Sequence, residues 1–215
     1  MTNGSQLKEH SYMRRGGVRQ LRWILALVLA LTGAAFIAEP ASAAPACSLV
    51  SGNDNRYMRF DPTGYNRIVE QQTGGTGNGL NRLRAWRTDV NSISIFDLYF
   101  CTDASGGSWS IRSNTTGKWV TTSYNLSGND SNLLRAISST VGTNERYTLL
   151  DLTVGNYVKS QTVLSSTHHY ALYSWSVDGA SGHWVSARYD MTGFGFGNLR
   201  AIAPTVNIWE TIIFG

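Results

Sequence analysis

The chain has 215 residues, 42% of them hydrophobic by type, with 18 basic residues against 14 acidic ones and a formal net charge of +4. The positive excess sits in the first 43 residues; the remaining 172 or so carry 13 basic and 12 acidic residues, about +1. That balance excludes the cationic surface a nucleic-acid binder needs, and the length suits one domain with its own core.

Residues 1–43 read as an export signal. Arg14, Arg15, Arg19 and Arg22 precede an apolar run from Trp23 to Ala38, and Ala41-Ser42-Ala43 supplies the small residues of a cleavage site. The run is short of the roughly 20 residues a membrane span needs, so the expectation is a secreted protein, cut after Ala43 and free of the membrane. Met13, directly before an Arg pair, is a second candidate start, with residues 1–12 then upstream of it. Beyond the leader there are two cysteines, Cys47 and Cys101. An oxidising destination favours a disulfide between them; two buried thiols are the alternative.

The body, 44–215, is written three times. Val69, Val120 and Val185 are each followed fourteen residues later by Leu-Arg-Ala, at Leu83-Arg84-Ala85, Leu134-Arg135-Ala136 and Leu199-Arg200-Ala201. Thirteen residues beyond each Leu stands a large apolar residue: Phe96, Tyr147, Ile212. Such self-similarity marks a repeat architecture, with copies at about 47–101, 102–152 and 153–215. The local patterns are those of strands: Ser110-Ile111-Arg112-Ser113 and Lys118-Trp119-Val120-Thr121 flank Asn114-Thr115-Thr116-Gly117, a turn sequence. No stretch has a sustained helical period. In the second copy, strands are predicted near Trp109–Ser113, Lys118–Ser123, Leu133–Ile137 and Arg146–Leu152. The Leu-Arg-Ala motifs lie 51 and then 65 residues apart, which points to a hairpin or long loop inserted at about 153–169, or to a shifted repeat boundary.

Gly117-Lys118-Trp119-Val120-Thr121, Leu134-Arg135-Ala136 and Glu145-Arg146-Tyr147 together resemble the repeat of fascin-like β-trefoil domains. The third copy is similar through Gly182-His183-Trp184-Val185 and Trp209-Glu210-Thr211-Ile212; the first is degenerate. The resemblance implies an all-β fold, a β-trefoil of three four-stranded repeats with pseudo-threefold symmetry. Fascins bundle actin, so it also implies a possible protein partner.

Chemistry-bearing residues are few in the sequence. His168-His169 are adjacent and would point to opposite faces of a strand, so no metal site is read from them. There is no Gly-x-Ser-x-Gly elbow, and the acidic residues are scattered. The expectation is a non-enzymatic monomer with no cofactor and no metal. Arg84, Arg135 and Arg200 belong to the structural motif and are expected to pair with a carboxylate or a neighbouring loop. Asn114, Asn125 and Asn129 begin glycosylation-type triplets, but the Ala-rich leader is bacterial in type and makes that modification unexpected.

The stretch between each Val and Leu-Arg-Ala keeps its length while its content changes. Rigid scaffolds carry function on such loops. Sugar recognition needs planar amides and carboxylates for hydroxyl groups and an aromatic face for the ring. The second and third loops offer that mixture in Tyr124, Asn125, Asn129, Asp130, Tyr189, Asp190, Phe194 and Phe196. The expected function is lectin-like binding of a glycan or polysaccharide. The alternatives are a protein-interaction module or inhibitor, and an uncharacterised hydrolase.

Overall fold

The computed structural model describes residues 44–61, 65–103, 106–175 and 183–215. The export signal expected at residues 1–43 lies outside the described residues. The structure is all-β: β1 (Ala46–Leu49), β2 (Arg56–Phe60), β3 (Arg67–Gln72), β4 (Arg82–Arg87), β5 (Ile95–Asp103), β6 (Gly106–Ser113), β7 (Trp119–Ser123), β8 (Leu133–Ser138), β9 (Tyr147–Asp151), β10 (Asn156–Tyr157), β11 (Tyr170–Ser174), β12 (His183–Arg188), β13 (Asn198–Ala203) and β14 (Ile212–Phe214). Among the described residues no helix is long and apolar enough to cross a membrane.

The expectation of a β-trefoil is corrected here. Antiparallel pairing runs β5–β2–β14–β11–β12–β13–β4–β8–β7–β6, and β6 returns to β5, closing a ten-strand barrel. The described strands number fourteen rather than twelve. β3 bridges β2 and β4, while β9 bridges β6 and β11. β1 and β10 come from segments outside the repeated pattern, the N-terminal stretch and the insertion. The reason for the difference is that hydrogen bonding continues from one copy of the repeat into the next; sequence periodicity locates strands but does not say where a ladder closes.

The repeat itself has a structural basis. In the hairpins β3–β4, β7–β8 and β12–β13 the spaced Val and Ala are cross-strand partners: Val69 with Ala85, Val120 with Ala136, Val185 with Ala201. Each ladder slips register just before that Val, a bulge that bends the strand and increases its twist. The Val, Leu and Ala of every copy are buried, as are Phe96, Tyr147 and Ile212. Burying one such Leu side chain is worth about 1.5–3 kcal/mol. β4, β8 and β13 also pair with one another, through Arg82 with Arg135, Asn198 with Arg84, and Arg200 with Leu133. Three hairpins thereby close one end of the barrel.

The other end is covered by residues that occur once. Cys47 stands opposite Cys101 in the β1–β5 ladder, and the two form the expected disulfide. The insertion at 153–169 starts as a short hairpin, β9–β10, and continues as an irregular strap. Asn53, buried, donates to the Thr162 carbonyl at 2.8 Å and accepts from the Leu164 N–H at 2.9 Å. Leu164 is 2% exposed and, with Val158, packs onto the core; the Trp109 indole N–H donates to the Val158 carbonyl. His168 Nδ1 lies 2.7 Å from Asp151 Oδ2, fastening the end of the strap.

Candidate functional site

At the hairpin end, the three fixed-length loops meet. Each loop contains a short 3-10 turn, at Gly77–Gly79, Gly128–Asp130 and Gly193–Gly195, and each opens on a glycine at positive φ (55°, 60° and 59°), a backbone conformation other side chains resist. The repeated arginines hold these turns in a circle. Arg84, from the first copy, donates to the Gly193 and Phe196 carbonyls of the third loop. Arg135, from the second, donates to Gly77 and Leu80 of the first loop at 3.0 and 3.1 Å. Arg200, from the third, donates to Gly128 and Ser131 of the second at 3.1 and 2.8 Å. Of the two pairings expected from the sequence, the arginines thus take the neighbouring loop. Burial pushes all three guanidinium groups below their ordinary pKa.

With their backbones held from beneath, the loops present side chains into a cleft of about 520 Å³. Its walls are Gly74, Gly75, Thr76, Asn78 and Gly79 from the first loop, Arg82 from β4, Asp130 from the second loop and Phe194 from the third. Gly75 is required by close approach, since a Cβ there would fall 2.4 Å from the Gly79 carbonyl oxygen. The Asn78 amide donates to Asp130 Oδ2 at 3.1 Å, tying the first loop to the second. Arg82 Nε donates to Gln72 Oε1 at 2.7 Å, and its guanidinium lies 5.7 Å from the Phe194 ring centroid, within cation–π range. Phe194 is 82% exposed. Burial lowers the pKa of Arg82, with Asp130 acting in the opposite sense.

Of the residues singled out in the sequence, Asp130 and Phe194 meet in this cleft. Tyr124, Asn125 and Asn129 are exposed on the second loop but do not line it. Tyr189 and Phe196 are placed elsewhere. Tyr189 is only 7% exposed; it stacks on Tyr65 at 4.8 Å and touches Phe196 and Trp209, each at 5.3 Å. The two aromatics expected on an open loop therefore serve as packing, and burial drives the Tyr189 hydroxyl well above its ordinary pKa. Asp190 forms a two-pronged pair with Arg188, both contacts at 2.6 Å, beside a separate cleft of about 390 Å³ lined by Ile202, Pro204 and Trp209. The hydrogen bonds from Arg188 hold its carboxyl below the usual range.

Asn78 and Arg82 join the site although the sequence reading did not select them. The first loop lacks aromatics, and the Phe194 ring of this cleft is supplied by a different loop. Arg82 carried a usable signal: the residues before Leu-Arg-Ala in the three copies are Arg82, Leu133 and Asn198, so only the first is charged.

No family model and no curated protein matches the chain. Solved structures do match. The SDF2-like protein from Arabidopsis thaliana aligns at 12% identity and a TM-score of 0.52, over 75% of this chain and 93% of that one. A Caenorhabditis elegans protein of unknown function aligns at 10% identity and a TM-score of 0.53, over 82% of this chain and 98% of that one. At such identities the likeness is one of fold alone. It overturns the fascin-like resemblance, which no family match supports: by its fold, this chain is similar to the SDF2-like protein.

Proposed function

We propose that the chain is an exported, non-catalytic binding module that takes a saccharide in the cleft where the three loops meet. The observation that carries this reading is the meeting, in one cleft, of the Asn78–Asp130 amide–carboxylate pair with the exposed Phe194 ring. A sugar offers hydroxyl groups in adjacent pairs and a face of C–H bonds. An amide and a carboxylate suit the first, and an aromatic ring suits the second. Exploiting one cleft rather than three fits the way the loops diverge. The disulfide accords with an oxidising compartment.

The test is a binding screen of the mature chain, 44–215, against plant, fungal and bacterial polysaccharides, followed by Phe194→Ala and Asn78→Ala. Each substitution is expected to weaken binding at least tenfold while leaving the unfolding midpoint within a few degrees. Absence of binding across the whole screen overturns the reading. Binding that survives both substitutions moves the site away from this cleft.

A further inference from the structure

The hairpin end gathers four arginines, Arg82, Arg84, Arg135 and Arg200. Asp130 acts on Arg82, Arg135 and Arg200 alike, and Asp190 acts on Arg200 as well. Two of those arginines are committed to loop carbonyls through Nε and Nη2. Arg82 differs. Among the described residues only its Nε is engaged, by Gln72, and it takes part in no ion pair. Arg82 lines the cleft together with Asn78, Asp130 and Phe194. The Gln72 contact and the Phe194 ring fix the plane of the guanidinium. A planar fork with a fixed orientation and free terminal N–H groups matches a carboxylate, because two parallel charge-assisted hydrogen bonds can form at once. Gln72 is itself held: its amide lies 3.4 Å from Glu70 Oε1, which also accepts from the Trp86 indole at 2.6 Å.

Resting on the saccharide reading of this cleft, we propose that it selects an acidic sugar, a uronate unit whose carboxylate docks on the terminal nitrogens of Arg82 while its hydroxyl groups meet Asn78 and Asp130. The neighbouring carboxylate does not cancel the preference. Asp130 accepts from the Asn78 amide through Oδ2, while Arg82 keeps its terminal N–H groups for a ligand. Asp130 also makes the site discriminating: a bare polyanion would meet repulsion from Asp130 without the compensating hydroxyl contacts.

The experiment compares polygalacturonate, its fully methyl-esterified form and poly-glutamate on the wild-type mature chain, at low and at physiological salt. The acid polymer is expected to bind at least tenfold tighter than the ester and than poly-glutamate. Arg82→Gln is expected to remove the difference between acid and ester. Arg82→Lys, which keeps the charge but loses the fork, should retain only part of it. Equal binding of acid and ester by the wild-type chain overturns the uronate inference and leaves the saccharide reading standing. Equal binding of poly-glutamate overturns it in favour of an acidic peptide or simple charge. A preference that persists in a folded Arg82→Gln chain overturns the assignment to Arg82. Failure of the acid polymer when other, neutral glycans bind sinks the inference alone, and failure of every glycan sinks both readings. Since the three-polymer comparison uses the unaltered chain, it decides the matter even if a variant does not fold.

Discussion

At the hairpin end, three arginines in equivalent positions each hold two carbonyls of the next loop in the circle; at the strap end, one asparagine and one disulfide hold segments that have no counterpart among the described residues. Repetition distributes a structural duty, so that a single loop can change its exposed residues without losing its anchor. The unrepeated end has no such reserve. Its segments are fastened by contacts far apart in sequence, such as Asn53 to Leu164, and each contact is made once. The difference predicts where the fold is brittle and where it can tolerate specialisation.

The largest effect should come from the unrepeated end. The bridge between Cys47 and Cys101 closes a loop with a sequence separation of 54, which by chain entropy corresponds to about 4 kcal/mol. Replacing both cysteines by Ser should lower the urea midpoint accordingly, and reduction of the wild-type chain should reproduce the loss. A change under about 1 kcal/mol would mean that β1 contributes little and that the contrast between the ends is weaker than drawn.

A middle-sized effect tests the repeated end. Replacing one of the loop-anchoring arginines by Ala leaves two carbonyls without their charged donor, at a cost of about 2 kcal/mol. Arg84 should cost most, because it is buried and also lies 4.4 Å from the Trp86 ring centroid. Arg200, equally buried, should follow, and the more exposed Arg135 should cost least. Equilibrium unfolding of the three single variants gives the order directly. If Arg135→Ala proves the most damaging, anchoring is not what these side chains contribute.

Much of this scaffold was legible in the sequence, and the reason is physical. The fourteen-residue spacing is a hairpin register, with Val and Ala as direct partners, and such local pairing leaves a periodic trace. The strands predicted near Leu133–Ile137 and Arg146–Leu152 lie within a residue or two of β8 and β9. What no period encodes is closure. The pairing of β6 with β5, or of β14 with β2, joins different copies, and the barrel came out otherwise than the trefoil that the motifs suggested. The site was half legible for a similar reason. Asp130 and Phe194 were visible as residue types on variable loops. Their meeting with Asn78 and Arg82 depends on three loops converging, and the burial of Tyr189 depends on Tyr65 and Trp209, which lie 124 and 20 residues away in the chain.

The smallest effect concerns the variable face of the third loop, where Arg188 grips Asp190. Hydrogen bonds from Arg188 lower the folded carboxyl pKa, whereas an unfolded Asp titrates near 3.9. The folded state therefore releases this proton more readily than the unfolded one. The stabilisation from the pair is full above the unfolded value and is lost as pH falls through the folded one. The Asp190 side chain is 64% exposed, so solvent screening holds the contribution to less than about 1 kcal/mol. The difference in unfolding free energy between wild type and Asp190→Asn should be constant above about pH 5, shrink as the solution is acidified below about pH 4, and diminish in high salt. A difference that grows on acidification would have the wrong sign for a depressed carboxyl. A large, salt-independent difference at neutral pH would mean that Asp190 is a structural anchor like the arginines, and the separation between a repeated scaffold and a variable loop face would fail at this position.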